Sequence, residues 1–259
     1  MIHYDPVELG IMWNRLISIT DEMVTALVRT SFSLMVREVG DLSCVLFDAR
    51  GRSLAQGSFS QPAFTGTAPQ TMIHMLTKYP AETLSPGDVL ITNDPWMGTG
   101  HTFDVTLMRP AFRRGQHVGF TMSVSHLPDI GGLGFGTVAT QVFEEGLYIP
   151  ITKLVSQDVV NEQLMEMITS NVRLPAEVYG DIMGHVTCNR VGERYLVELM
   201  DEYGIDSLEP LSQAITSQTE SVMRERIAQI PDGVYHKRIE TEGYAEALTL
   251  AVTVSVAGD

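Results

Sequence analysis

The feature that most limits what this chain can fold into is a change of hydrophobic period along its length. Leu9, Met12, Leu16, Ile19, Met23 and Leu27 recur at helical spacing. Asp5, Pro6 and Glu8 precede them as an N-cap, a proline at the first helical position and a capping-box acid. From Ser43 the spacing becomes that of strands. Ser43 to Phe47 and Ser53 to Ala55 read as a hairpin about the turn Asp48-Ala49-Arg50-Gly51. Val89 to Thr92 reads as a buried strand closed by Asn93-Asp94-Pro95. Asp104 to Met108 and His117 to Ser125 read as a strand pair joined at Arg113-Arg114-Gly115-Gln116, the second strand ending at His126. The segment Gly57 to Gly66 reads as a loop, and Thr71 to Leu76 as a short helix.

The second half turns helical again, over Val159 to Thr169, Ala176 to Tyr203 and Leu208 to Ala228. Arg190, Glu193 and Arg194 are assigned to a solvated or interface face of the middle helix. Strand spacing returns at Gly233 to Glu240 and Leu248 to Val256, before a terminal Ala257-Gly258-Asp259 turn. The order predicts an α+β fold: a long N-terminal helix, a mixed or antiparallel sheet with hairpins, a helical second half and C-terminal strands that look incomplete. Residues 1–155 form an N-terminal α/β region carrying the site, 156–230 a helical region, and 231–259 the start of a further β region. The chain reads as the first part of a larger fold or as one half of a split protein.

Composition narrows the function classes. With 259 residues, 44% hydrophobic and 19% charged, the chain has ample material for a core and is not dominantly disordered. Its net charge of −15 argues against nucleic acid as a main partner. No apolar run reaches the length of a membrane span, and the N-terminus lacks a basic signal-peptide region. Cys44 and Cys188 lie far apart in sequence and form neither a disulfide framework nor a Cys-type zinc site, which suits a reducing cytoplasm.

Several catalytic motifs are missing: a Walker-type phosphate loop, a G-x-S-x-G elbow and an H-E-x-x-H helix. The glycine run 131–136 does not match the dinucleotide fingerprint and reads as a flexible loop or lid, with a phosphate cradle as the alternative. What remains is a pair of H-x-x-D segments, His101/Asp104 and His126/Asp129. If the two strands pair as a hairpin, the start of one lies beside the end of the other, and His101, Asp104 and His126 meet at one end of the sheet. Two imidazoles and a carboxylate suit Zn²⁺, Mn²⁺ or Fe²⁺ and could supply hydroxide near neutral pH. The alternative is that they are ordinary turn and hairpin residues. Asp41, before the first strand, is a further ligand, a general base or a strand-capping residue. Glu144 and Glu145 either shape the site or are merely exposed, and Asp94 is assigned to a turn. Arg29 is a candidate anchor for an anionic substrate or a phosphorylated intermediate, or a surface residue. His3, His74, His117, His185 and His236 are assigned structural or surface roles.

Taken in order, DPVELGIMWNRL, ALVRTSFS, REVGDLSCVLFDARGRSLAQ, PGDVLITNDPWMGTGHTFDVTL, SHLPDIGG, FEEGLYIP, GDIMGHVTCNRVGER and PDGVYHKRIETEG resemble the hydantoinase B / acetone carboxylase alpha subunit family. That family includes the matching region of ATP-dependent 5-oxoprolinases. The resemblance implies a metal site at His101, Asp104 and His126, with Asp41 as a further ligand, and Arg29, Asp129 and Glu145 as candidate substrate contacts. It implies a hydantoinase A-type partner subunit that binds ATP and phosphorylates the substrate, which a metal-activated water then attacks in the cyclic amide hydrolases. Carboxylation of a ketone, and a non-catalytic assembly role, are the alternatives. A small-molecule substrate, no nucleic acid, no membrane and a second chain completing the C-terminal half complete the expected partners. Two departures stand out: the chain is less than half the usual family length, and Leu127 follows His126 where many members carry a second histidine.

Overall fold

The computed structural model describes residues 4–243 and 246–258, so His3 and Asp259 lie outside the described residues. Helix α1 spans Pro6–Thr30, with the Asp5 carboxylate accepting a hydrogen bond from the Val7 N–H as its N-cap. A single π-helical turn, Met35–Val39, leads into strand β1, Leu42–Asp48, which pairs with β2, Ser53–Gln56. Next come α2 (Pro62–Lys78), β3 (Val89–Thr92), β4 (Asp104–Arg113), β5 (Gln116–His126) and the single turn α3 (Val142–Glu145). Strands β6 (Thr152–Ser156) and β7 (Val159–Val160) follow, then helices α4 (Glu162–Ser170), α5 (Pro175–Glu202) and α6 (Glu209–Ala228). The last elements are β8 (Gly233–Thr241) and β9 (Leu248–Val256).

Seven strands form one antiparallel sheet in the order β2-β1-β5-β4-β3-β6-β7. Side chains alternate across it, so each strand feeds two cores. Val45, Leu90, Met108 and Met122 pack on one face with Ala68, Met72 and Met75 of α2. Ile91, Val105 and Leu107 point the other way, onto Met165 and Ile168 of α4 and Val178 and Ile182 of α5. Helix α1 lies along α5, and Gly192 permits the closeness: a Cβ there would meet the Met23 sulfur at 2.4 Å.

Two local expectations are corrected. The stretch read as a loop to Gly66 with a short helix from Thr71 is one helix, α2, despite Gly66 and Pro69 within it. Phe64, Ala68, Thr71, Met72 and Met75 form a buried stripe, and packing that stripe outweighs the propensity cost of the two breakers. The helix expected from Val159 begins at Glu162, capped by Asn161, because Val159–Val160 pairs with Val155 and Ser156 about the left-handed turn Gln157-Asp158.

The chain divides into two compact units, Met1–Ser212 and Gln213–Asp259. The second holds an antiparallel pair, β8 with β9, whose register runs from Gly233 opposite Val256 to Thr241 opposite Leu248. No helix among the described residues is long and apolar enough to cross a membrane.

Candidate metal centre

The β4–β5 hairpin sets the site. Its register places Asp104, the first residue of β4, directly opposite His126, the last residue of β5. The pairing of β1 with β5 brings the chain before β1 to the same end of the sheet, where the Asp41 carbonyl accepts the His126 N–H at 3.2 Å. His101 comes from the turn before β4, and its Nε2 lies 2.8 Å from Asp104 Oδ2. His126 Nδ1 lies 3.2 Å from Asp104 Oδ1 and 4.0 Å from Asp41 Oδ2. One ligand atom each from His101, Asp104 and His126 falls within 4.8 Å of the others. Asp104 and His126 are buried, while the His101 side chain is 33% exposed.

The electrostatics favour an anionic carboxylate between two imidazoles. Burial alone would raise the Asp104 pKa, but hydrogen bonds from His101, His126 and Thr99 outweigh it and hold the group at about 2. The hydrogen bond to Asp104 raises His101, against the opposing effect of burial; the charges of Asp104, Glu145 and Asp41 add to the rise. Asp41 is raised, first by burial and then by the Asp104 charge, with His126 and His101 pulling the other way. Two ring nitrogens and an ionised oxygen converging on one point, with a second carboxylate beside them, is a donor set that fits a divalent transition metal. His101, Asp104 and His126 would hold it, with Asp41 within reach. Phe103 stacks on the His126 ring at 5.1 Å and 10° and fixes its plane.

The other candidate residues lie elsewhere or do other work. Asp129 accepts hydrogen bonds from the backbone N–H groups of Gly131, Arg173 and Leu174 and pairs with the Arg173 guanidinium at 3.1 Å. Arg173 in turn donates to the carbonyls of Gly131 and Gly132. This pair pins the base of the glycine loop. Glu145 accepts from the Thr102 N–H at 2.9 Å and its hydroxyl at 3.1 Å, which fixes the turn carrying His101. Arg29 is exposed near the end of α1 and lines a cavity of about 290 Å³ with Val28, Val36, Arg37 and Leu42. Asp94 is more than a turn residue, since Tyr148 donates to its carboxylate. On the opposite face of β5, His185 bridges the hydroxyls of Ser123 and Ser125 at 2.8 and 2.7 Å, in the structural role expected of it.

The Asp129 anchor carries a prediction. Burial works to raise its pKa, but three backbone N–H groups and Arg173 outweigh it, so the folded value lies below the ordinary aspartate value of about 3.9. A depressed carboxylate stabilises the fold above the unfolded pKa, and the contribution disappears as pH falls through the folded pKa. Asp129→Ala is therefore expected to cost about 2–3 kcal/mol at pH 7 in urea unfolding. The gap to wild type should close as the pH drops below about 4.

The chain belongs to the Hydantoinase B/oxoprolinase family, whose profile matches residues 5–259. Within that family it is 30% identical over 267 residues to a Pseudomonas sp. (strain NS671) protein described as the B-type subunit of a D-/L-hydantoinase, matching 98% of this chain and 45% of the relative. It is also 30% identical to the beta subunit of the caprolactamase of Pseudomonas jessenii, over 98% of this chain and 45% of that one. Of solved structures, the ATP-dependent caprolactamase from Pseudomonas jessenii superposes with a TM-score of 0.89 at 29% identity, covering 100% of this chain and 45% of that one. A nucleotide-free acetone carboxylase shares the fold, with a TM-score of 0.80 at 20% identity over 91% of this chain and 32% of that one. The chain thus spans about half the length of the curated relatives it matches.

Proposed function

We propose that this chain carries the metal centre of an ATP-dependent hydrolase of cyclic amides. The observation that carries the reading is the convergence of His101, Asp104 and His126 within 4.8 Å at one end of the sheet. Held by His101, Asp104 and His126, a divalent cation would supply Lewis acidity toward an amide carbonyl or a water. Asp104 contributes the fixed negative charge, held by two imidazoles and Thr99. His101 and His126 would contribute nitrogen donors. Asp41, with its raised pKa, is the group suited to take up a proton at Oδ2 from attacking water and to return it to the departing amide nitrogen.

By the family resemblance, ATP is assigned to a partner subunit of the hydantoinase A type, which transfers a phosphoryl group to the substrate's carbonyl oxygen; attack of water and loss of the amine then leave an acyl phosphate, whose hydrolysis by a second water releases inorganic phosphate. The absence of a Walker-type loop from this sequence fits that division of labour. A further polypeptide segment matching the rest of the relatives' length is the second expected partner. Hydrolysis is preferred to ketone carboxylation because the likeness to a caprolactamase extends to 30% identity, whereas the likeness to acetone carboxylase rests on the fold.

The test is ATP hydrolysis by the chain together with its partner subunits. Turnover that depends on a lactam or imide and not on bicarbonate supports the reading. Turnover that requires bicarbonate and a ketone would replace it with the carboxylase. Undiminished lactam turnover after His101→Ala and His126→Ala would leave the chain an assembly role only.

A further inference from the structure

Single exposed apolar side chains are ordinary, and Phe59 and Phe143 are more exposed than Phe135; Phe135 is singled out by what it touches. Phe135 is 72% exposed, yet its ring makes T-shaped contacts with His126, at 4.9 Å between centroids and 84°, and with Phe103, at 5.6 Å and 74°. His126 beneath it is only 3% exposed.

The segment carrying Phe135 is fixed at its base and open at its tip. At the base, a Cβ on Gly131 would fall 2.4 Å from the Asn171 carbonyl oxygen, and one on Gly132 would fall 2.4 Å from that of Glu144. Leu133 donates its N–H to the Glu144 carbonyl, and Asp129 with Arg173 clamps the same turn. At the tip, Gly134 has a φ of +84°, and neither Gly134 nor Gly136 would bring a Cβ within 4 Å of a neighbour. Phe135 stands between these two glycines, so two permissive residues flank the ring that this segment brings to the site.

We propose that Phe135 is the gate and the apolar wall of the His/Asp site. Closed on His126, it keeps water from the imidazole. When a small ring-shaped ligand enters, Phe135 packs against its hydrocarbon edge while the amide faces His101 and Asp104. Phe103, 3% exposed and stacked on His126, makes the wall behind it. The class of ligand follows the functional reading above; the shielding of His126 does not depend on it.

The test is acylation of the metal-free chain by diethyl pyrocarbonate, read histidine by histidine by mass spectrometry. Exposed His236 serves as the reference and fully buried His185 as the control for an intact fold. In Phe135→Ala the rate at His126 relative to His236 should rise about fivefold, the factor by which losing a ring–ring contact eases local opening. His185 should stay unmodified. An unchanged rate at His126 overturns the gate. If His185 also becomes labelled, Phe135→Leu gives the decision: a rise at His126 with His185 protected supports the gate, and no rise overturns it.

For the wall, caprolactam is the probe. It should protect His101 from acylation in the wild type, and Phe135→Ala should raise the protecting concentration about tenfold. Equal protection in the two proteins overturns the contact with the ligand. Zinc uptake by the same wild-type sample is measured alongside. A failure to bind zinc contradicts the metal-centre proposal and leaves the acylation comparison intact.

Discussion

Asp104→Ala is expected to abolish divalent metal binding and, with it, turnover by the assembled enzyme. Loss of a group that only orients a ligand already costs about 10–100-fold in metal affinity. Asp104 lies between both imidazoles, so its loss should exceed about a hundredfold. Asp104→Asn keeps the shape but removes the charge, and should also fail. The measurement is a competition titration with a chromophoric chelator, using the variant's unfolding curve to confirm that the hairpin survives. Asp41→Asn should behave differently. Its carboxylate oxygen is 4.0 Å from His126 Nδ1 and 29% of its side chain is exposed, so metal affinity should fall less than turnover does.

The largest stability effect is expected from Glu193→Ala. The Arg109 guanidinium is buried on β4, with only 6% of its side chain exposed, and Glu193 on α5 accepts its Nε–H. Glu193 also accepts the Phe112 N–H at 3.2 Å, while Asp158, 64% exposed, meets Arg109 at 3.3 Å. Removing Glu193 leaves a buried cation with one solvated partner and orphans a backbone donor. Breaking a buried pair in this way costs about 3–5 kcal/mol. For a domain of this size that is a fall in Tm of about 6–20 °C by calorimetry. Replacing both members, Arg109→Met with Glu193→Leu, should recover most of the loss, because no charge is then left buried. A Tm unchanged by Glu193→Ala would show that Asp158 and solvent suffice for Arg109.

Glu193 also shows where sequence reading stops. It sits on a helix at a spacing that suits a solvated face, and its partner is 84 residues away. Nothing local reports that pairing. Asp129 and Glu145 escape for the same reason. The family resemblance suggests substrate contacts, while the structure gives their carboxylates bonds from the backbone N–H groups of Gly131, Arg173, Leu174 and Thr102. Acceptors for orphaned backbone donors are supplied by tertiary structure and leave no pattern in the chain. Helix α2 is half-hidden because Gly66 and Pro69 are breakers in isolation and are overruled by a buried stripe.

The legible parts follow from rules that act locally or through strand register. Asp5-Pro6 fixes the start of α1, and the Asn93-Asp94-Pro95 turn follows directly on the end of β3. The hairpin about Arg114-Gly115 determines which residue of β4 faces which of β5. Once that register is known, Asp104 must face His126, and His101, three residues before Asp104, completes the convergence. Phe135 is hidden for the opposite reason: a lone aromatic among glycines has no periodicity to mark it.

The most direct test of the metal centre is a crystal structure of the chain with Zn²⁺ or Mn²⁺, using anomalous scattering to locate the ion. The account predicts one ion per chain, bound by nitrogen from His101 and His126 and oxygen from Asp104, with Asp41 in or beside its coordination sphere. An anomalous peak at any other set of residues, or none at saturating metal, would contradict it.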